Sequence, residues 1–197
     1  RIANAHQVRI THIFETHRHE DFLVGSTDLA RRTGARIYHG RALDFLYGER
    51  LAERDLFQFG AISLSVLETP GHSDESVSFV MADAQSGDSP AAVFTGDTLS
   101  VGDVGRTDFY PGRDEEVAGA LHDSLWGKLM PLGDGVLVHP AHGAGSVCGM
   151  SMSSRWISTL GYERRNNPAL QGSRDEFVRR KLNEHHYKPP YFERMHG

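Results

Sequence analysis

Six side chains of metal-ligating type sit in four short motifs between residues 17 and 142. They are His17, His19 and Asp21 in THRHED, His72 in TPGHSDES, Asp97 in FTGDTL and His142 in HPAHGAG. Imidazole nitrogen and carboxylate oxygen are the donors that hold divalent transition metals. Each motif alone is weak. Together and in this order they read as the shell of a metal ion. One position argues against a two-metal version. Such a site would use a further histidine directly after Asp21, and residue 22 is Phe22, which offers no donor. A single ion is the simpler reading.

Residues this far apart can surround one ion only if a rigid scaffold brings their loops together, as the ends of neighbouring strands in a sheet do. The candidates do follow runs with strand character. RITHIFET (9–16) precedes His17, AISLSVLETP (61–70) precedes His72, AAVFTG (91–96) precedes Asp97, and GVLVHPAH (135–142) ends on His142. Between them the pattern predicts a helix over 22–33 closed by Gly34 as a C-cap, a short strand over 35–40 and a weak helix over 41–51. DLFQFG (55–60) pairs with the 61–70 run as a hairpin turning at Gly60. A further strand covers 76–84. Helices are expected over 113–130, with acids in the first turn as the helix dipole favours, and over 153–165 and 173–186. Strands and helices mixed in this order indicate an α/β layered domain.

Bulk properties exclude several classes. The chain of 197 residues is 39% hydrophobic and 24% charged, as expected of one globular domain. A formal net charge of -5 argues against a nucleic-acid binder. No apolar run approaches the ~18 residues that span a bilayer, so no membrane role is expected. No signal-peptide pattern opens the chain, and its single cysteine suits a reducing compartment, which together point to the cytoplasm. Residues 1–10 read as the end of a helix entering a strand, so the first strands of the sheet are expected to be missing. Residues 1–186 are read as the metal-binding domain, and 187–197, with two prolines, as an exposed linker.

The set THRHED, TPGHS, FTGDTL and PAH resembles the metallo-β-lactamase superfamily, which implies an αββα sandwich. Within it, GDVGRTDFYPG (102–112) resembles the persulfide dioxygenases. PAHGAGSVCG followed by STLGYERRNNPAL resembles their bacterial members fused to rhodanese domains. The resemblance implies one Fe(II) per chain held by His17, His72 and Asp97, the two-histidine, one-carboxylate face expected of non-haem oxygenases. It implies a small-molecule persulfide, glutathione persulfide first, reacting with O2 to give sulfite and thiol in sulfide detoxification. A rhodanese sulfurtransferase is the implied partner, with homodimers common in the family. Two alternatives stay open: a zinc thioester hydrolase resembling glyoxalase II, which would want the histidine that Phe22 replaces, and a non-catalytic metal-binding module.

The remaining candidates carry paired readings. His19 is expected near the ion without ligating it. Asp21 either orients a ligand histidine or caps the 22–33 helix. His142 either lines the pocket or closes its strand. Arg106 either grips a substrate carboxylate or pairs internally with Asp108. Tyr110 is a pocket candidate. Cys148, six residues past His142, either meets the persulfide or is a small buried apolar group.

Overall fold

The computed structural model describes residues 2–87 and 89–192. Eleven strands and five α-helices run in the order α1 (Ile2–Ala5), β1 (His12–Phe14), α2 (Ser26–Thr33), β2 (Arg36–Gly40), β3 (Glu49–Leu51), β4 (Leu56–Phe59), β5 (Ile62–Glu68), β6 (Val77–Asp83), β7 (Pro90–Gly96), β8 (Leu99–Ser100), β9 (Asp103–Val104), α3 (Asp114–Ser124), β10 (Leu137–Pro140), β11 (Ser158–Thr159), α4 (Leu160–Asn166) and α5 (Arg174–Leu182) among the described residues. β1, β2 and β3 form a small parallel sheet, and β11-β10-β7-β6-β5-β4 form a larger mixed one.

The strands from β4 to β7 pair antiparallel with their sequence neighbours, and β10 joins β7 parallel after the crossover through α3. β6 lies inside the sheet and is covered on both faces. Val77 and Phe79 point into a cluster with Tyr38, Leu51 and Val66 between the two sheets, while Val80 joins Leu121, Leu125, Val138 and Phe177 under α3 and α5. Each such side chain contributes roughly 1.5–3 kcal/mol by leaving water. With α2 beside the small sheet, the layering is the expected αββα sandwich. No helix among the described residues is long and apolar enough to cross a membrane.

Several expected elements differ. The 41–51 stretch is not helical: residues 43, 45 and 47 are half-buried and alternate with exposed neighbours, a period of two, and the chain ends in edge strand β3. The helix expected over 22–33 begins at Ser26, with Gly25 at its N-cap, so Asp21 caps nothing. The helix expected over 153–165 begins at Leu160, where the Thr159 side chain accepts from Tyr162 N; upstream, Trp156 is exposed and finds no core. The tail does not leave the domain as an exposed linker at residue 187. Tyr187 accepts a hydrogen bond from Arg106 and Phe192 is buried against the same side chain. Residues 193–197 of that expected linker lie outside the described residues.

Candidate metal centre

Four strand ends converge at one edge of the sandwich. Thr16, just past β1, accepts a backbone hydrogen bond from Val77 N at 2.7 Å, and Ala141 N donates to Gly96 O at 3.0 Å. These ties set the loops carrying His17, His72, Asp97 and His142 beside one another. The His72 loop turns at Gly71, whose φ of +135° and close approach to the backbone of Leu121 admit no side chain. Gly105 packs so tightly that a Cβ there would lie 2.2 Å from Asp97 O and 2.9 Å from His72 Nδ1. Gly71 is therefore fixed by the packing of its loop on α3, and Gly105 by the geometry of the centre.

One carboxylate oxygen is the focus. Asp97 Oδ2 lies 3.4 Å from His17 Nε2, 3.3 Å from His72 Nε2 and 3.4 Å from His142 Nε2. Ligands bonded to one ion at ~2.0–2.2 Å lie ~3–3.6 Å from one another, so the spacing already suits an ion. His17, His72 and Asp97 are each buried. The backs of the two rings are held: His17 Nδ1 sits 2.9 Å from Thr16 Oγ1, and His72 Nδ1 donates to Arg106 O at 3.0 Å. A carbonyl only accepts, so the His72 proton sits on Nδ1 and its Nε2 lone pair faces the centre.

Charge and solvation agree with that protonation. Burial pushes His72 down to about 3, with the His17 ring adding to the effect, so the imidazole is neutral. Burial alone would raise Asp97, but the rings around it, His17 foremost, outweigh it and hold the carboxyl well below its usual range. Both Asp97 oxygens, His17 Nε2 and His142 Nε2 are buried and find no hydrogen-bond partner among the described residues. A carboxylate left this way is costly unless a cation completes it. The donor set fits a divalent transition metal at His17, His72 and Asp97.

The other candidates fall into two groups. His19, Asp21, His142 and Cys148 are brought to the centre. The His19 ring lies 4.3 Å from that of His17, and His19 Nδ1 is 3.6 Å from Asp21 Oδ1. His142 is raised, because the neighbouring Asp97 more than offsets its burial. The Cys148 thiol is within ligating reach of Asp21 and His142. Burial, followed by the charges of Asp97 and Asp21, pushes it up, so it is a protonated thiol at neutral pH, with no open face to solvent. Phe22 lies tilted over His19, ring centroids 4.2 Å apart, and is exposed at the rim.

Arg106 and Asp108 show the internal pair, the second of their two readings, and Tyr110 braces a neighbouring loop. Arg106 is fully buried, and its Nε and Nη2 donate to Asp108 Oδ1 and Oδ2 at 2.7 and 2.8 Å. Its Nη1 donates to Val147 O and Tyr187 O, both at 3.0 Å. No face of the guanidinium is left for a ligand. Tyr110 accepts from Asp74 N at 3.0 Å, bracing the loop that carries His72.

Glu75 was not legible as a site residue. It is buried and accepts from Arg18 N at 2.9 Å and Ser73 Oγ at 2.8 Å, joining the His17 loop to the His72 loop. Its only sequence signal is an acid set among small polar residues in HSDES, which says loop and nothing more.

A sandwich of two sheets with histidines and an aspartate gathered at its strand ends defines a metallo-β-lactamase fold. Solved structures agree: the chain superposes with a TM-score of 0.90 and 33% identity on a metallo-β-lactamase from Staphylococcus aureus subsp. aureus COL, covering 98% of this chain and 59% of that one. ETHE1 from Myxococcus xanthus matches with a TM-score of 0.77 and 33% identity over 92% of this chain and 72% of that one. The mitochondrial persulfide dioxygenase ETHE1 of Bos taurus is 30% identical over 173 residues, 87% of this chain and 61% of that protein. No family model matches. The chain belongs to the ETHE1 persulfide dioxygenase family, and it spans about three fifths of the length of the curated relatives it matches.

Proposed function

We propose that this chain carries the centre of an iron-dependent persulfide dioxygenase acting on a low-molecular-weight thiol persulfide, glutathione persulfide first. The overall change balances as R–S–SH + O2 + H2O giving R–SH, sulfite and two protons. The observation that carries the reading is the approach of His17 Nε2 and His72 Nε2 to an otherwise unpartnered Asp97 oxygen, at 3.4 and 3.3 Å. Two imidazoles and one carboxylate on one face are the donors that suit ferrous iron in oxygenases. Iron held by His17, His72 and Asp97 supplies the electron-transfer steps between sulfur and O2 that zinc, with no redox change, cannot.

The protein's own part is to hold and exclude. Thr16 and the Arg106 carbonyl fix the two rings so that their Nε2 atoms face inward. Phe109 packs edge-to-face with His72 at 5.2 Å, and Phe22 lies over His19 at the rim, so part of the wall around the donors is apolar. His142, whose Nε2 lies 3.4 Å from Asp97 Oδ2, is the imidazole available to hold a proton at that edge of the centre. A rhodanese-type sulfurtransferase is the partner chemistry that would supply such a substrate.

Oxygen consumption by the iron-loaded protein with glutathione persulfide tests the reading. Uptake that yields sulfite and follows iron content supports it. An iron-loaded protein that consumes no oxygen overturns it, and thioester hydrolysis by the zinc-loaded protein would turn the same centre to the glyoxalase II-like alternative.

A further inference from the structure

A small cavity of about 100 Å³ reaches the candidate centre from the side. Its buried end is set by His17, and its exposed end by Phe22 and Leu23. Val24, Phe45 and Tyr47 complete the apolar part of its lining. Glu15 and Arg18 also border it, yet the surface it presents is chiefly apolar. The heads of these two charged side chains are engaged with partners. The Tyr47 hydroxyl donates to Glu15 Oε1 and Oε2 at 3.2 and 3.1 Å, and Arg18 Nη2 pairs with Glu20. Burial and then the Glu15 charge push the Tyr47 phenol up to about 12, so it stays neutral.

The walls are pinned on both flanks. Phe45 and Tyr47 belong to the stretch between β2 and β3. Phe45 lies over the ring of His39, centroids 4.2 Å apart, and His39 Nε2 is 2.7 Å from Tyr47 O. A Cβ at Gly48, where φ is +80°, would come 2.7 Å from His39 Cδ2, so the chain turns there on a glycine. On the opposite flank Phe22 rests on His19.

Size and polarity decide what fits. Pockets that bury a drug-sized ligand run to roughly 300–1,000 Å³, so a tripeptide persulfide is too large for this one. An apolar cavity of roughly 150 Å³ takes up xenon or benzene, and a diatomic gas is smaller than benzene. Apolar solutes leave water for such surroundings. We propose that this cavity takes up O2 from solvent and holds it beside His17. The proposal rests on the dioxygenase reading, because O2 is the co-substrate only of that reaction. Arg18 Nε is buried and finds no hydrogen-bond partner among the described residues, so water is the competing occupant.

Xenon is the probe, because it enters apolar space whatever metal is bound. Dissolved under pressure with the full chain, it should shift the methyl resonances of Leu23 and Val24 in a saturable way. Val24→Phe, which fills the space, should remove that response. Val24 is half-buried and outside the helices and strands, so the change leaves the sheets untouched. In the iron-loaded protein the same variant should lower kcat/KM for O2 by about threefold or more and leave kcat/KM for the persulfide unchanged. Val24→Ala, which keeps the space open, should preserve both the xenon response and kcat/KM for O2. A wild-type chain with no saturable xenon response overturns the proposal, as does a kcat/KM for O2 indifferent to Val24→Phe. An equal fall for the persulfide also overturns it, by giving the cavity to the carrier thiol. An iron-loaded wild-type protein that consumes no oxygen fails the dioxygenase reading and leaves the xenon response standing, so the two failures are distinguishable.

Discussion

Two buried polar clusters meet at residue 106 and are built on opposite rules. The side chain of Arg106 belongs to one: its donors go to Asp108, Val147 and Tyr187, and its faces pack on Phe109 and Phe192 at 5.1 and 5.5 Å. The carbonyl of the same residue belongs to the other, where it holds His72. There the inward-facing atoms of His17, Asp97 and His142 are buried and unpartnered. Folding stability requires buried polar groups to be satisfied. The cluster that obeys is architecture, and the one that does not has its donors set for a cation.

The contrast can be broken at either end. Asp97→Ala should abolish iron retention, since two imidazoles alone hold ferrous iron weakly, while thermal unfolding of the metal-free chain stays cooperative. Normal iron content in that variant would remove Asp97 from the shell. Arg106→Ala should do the converse. Loss of one partner from a buried ion pair costs about 3–5 kcal/mol, read by urea denaturation, with metal content per folded chain retained. Unchanged stability would mean the pair braces nothing.

The smallest effect is in acid. Burial opposes ionisation of Asp108, but Arg106, with Lys188 in support, pulls it down to about 2 from its ordinary 3.8. A depressed carboxyl stabilises the fold above its unfolded value, and the contribution is lost as pH falls through the folded one. The wild-type chain should therefore lose stability between roughly pH 4 and pH 2 beyond what Asp108→Asn loses. Parallel acid limbs for the two proteins would contradict the coupling.

The same contrast explains what the sequence could tell. His17, His72 and Asp97 were legible because each follows a strand-like run and carries a metal-binding group. Arg106 and Asp108 were ambiguous, since an arginine two residues from an aspartate is equally a clamp or a brace. Only burial decides between them. Asp21 looked like a helix cap because the helix start could not be placed: Phe22, Leu23 and Val24 carry the apolar pattern upstream of Ser26. The 41–51 run misled through composition, as Leu43, Phe45 and Tyr47 suit a helix in type but alternate in burial like a strand. Cys148 lies in a loop with no periodicity, so its meeting with Asp21 and His142 is a fact of tertiary structure alone.

The last described turn acts as a clasp behind the candidate metal centre. Tyr187 takes a bond from Arg106, Lys188 Nζ donates to Asp108 O at 2.9 Å, and Phe192 covers the guanidinium. A proteolytic nick between α5 and Tyr187 would take from the guanidinium its Tyr187 acceptor and its Phe192 cover, so damage to an irregular tail would register as lost folding stability with the metal centre intact.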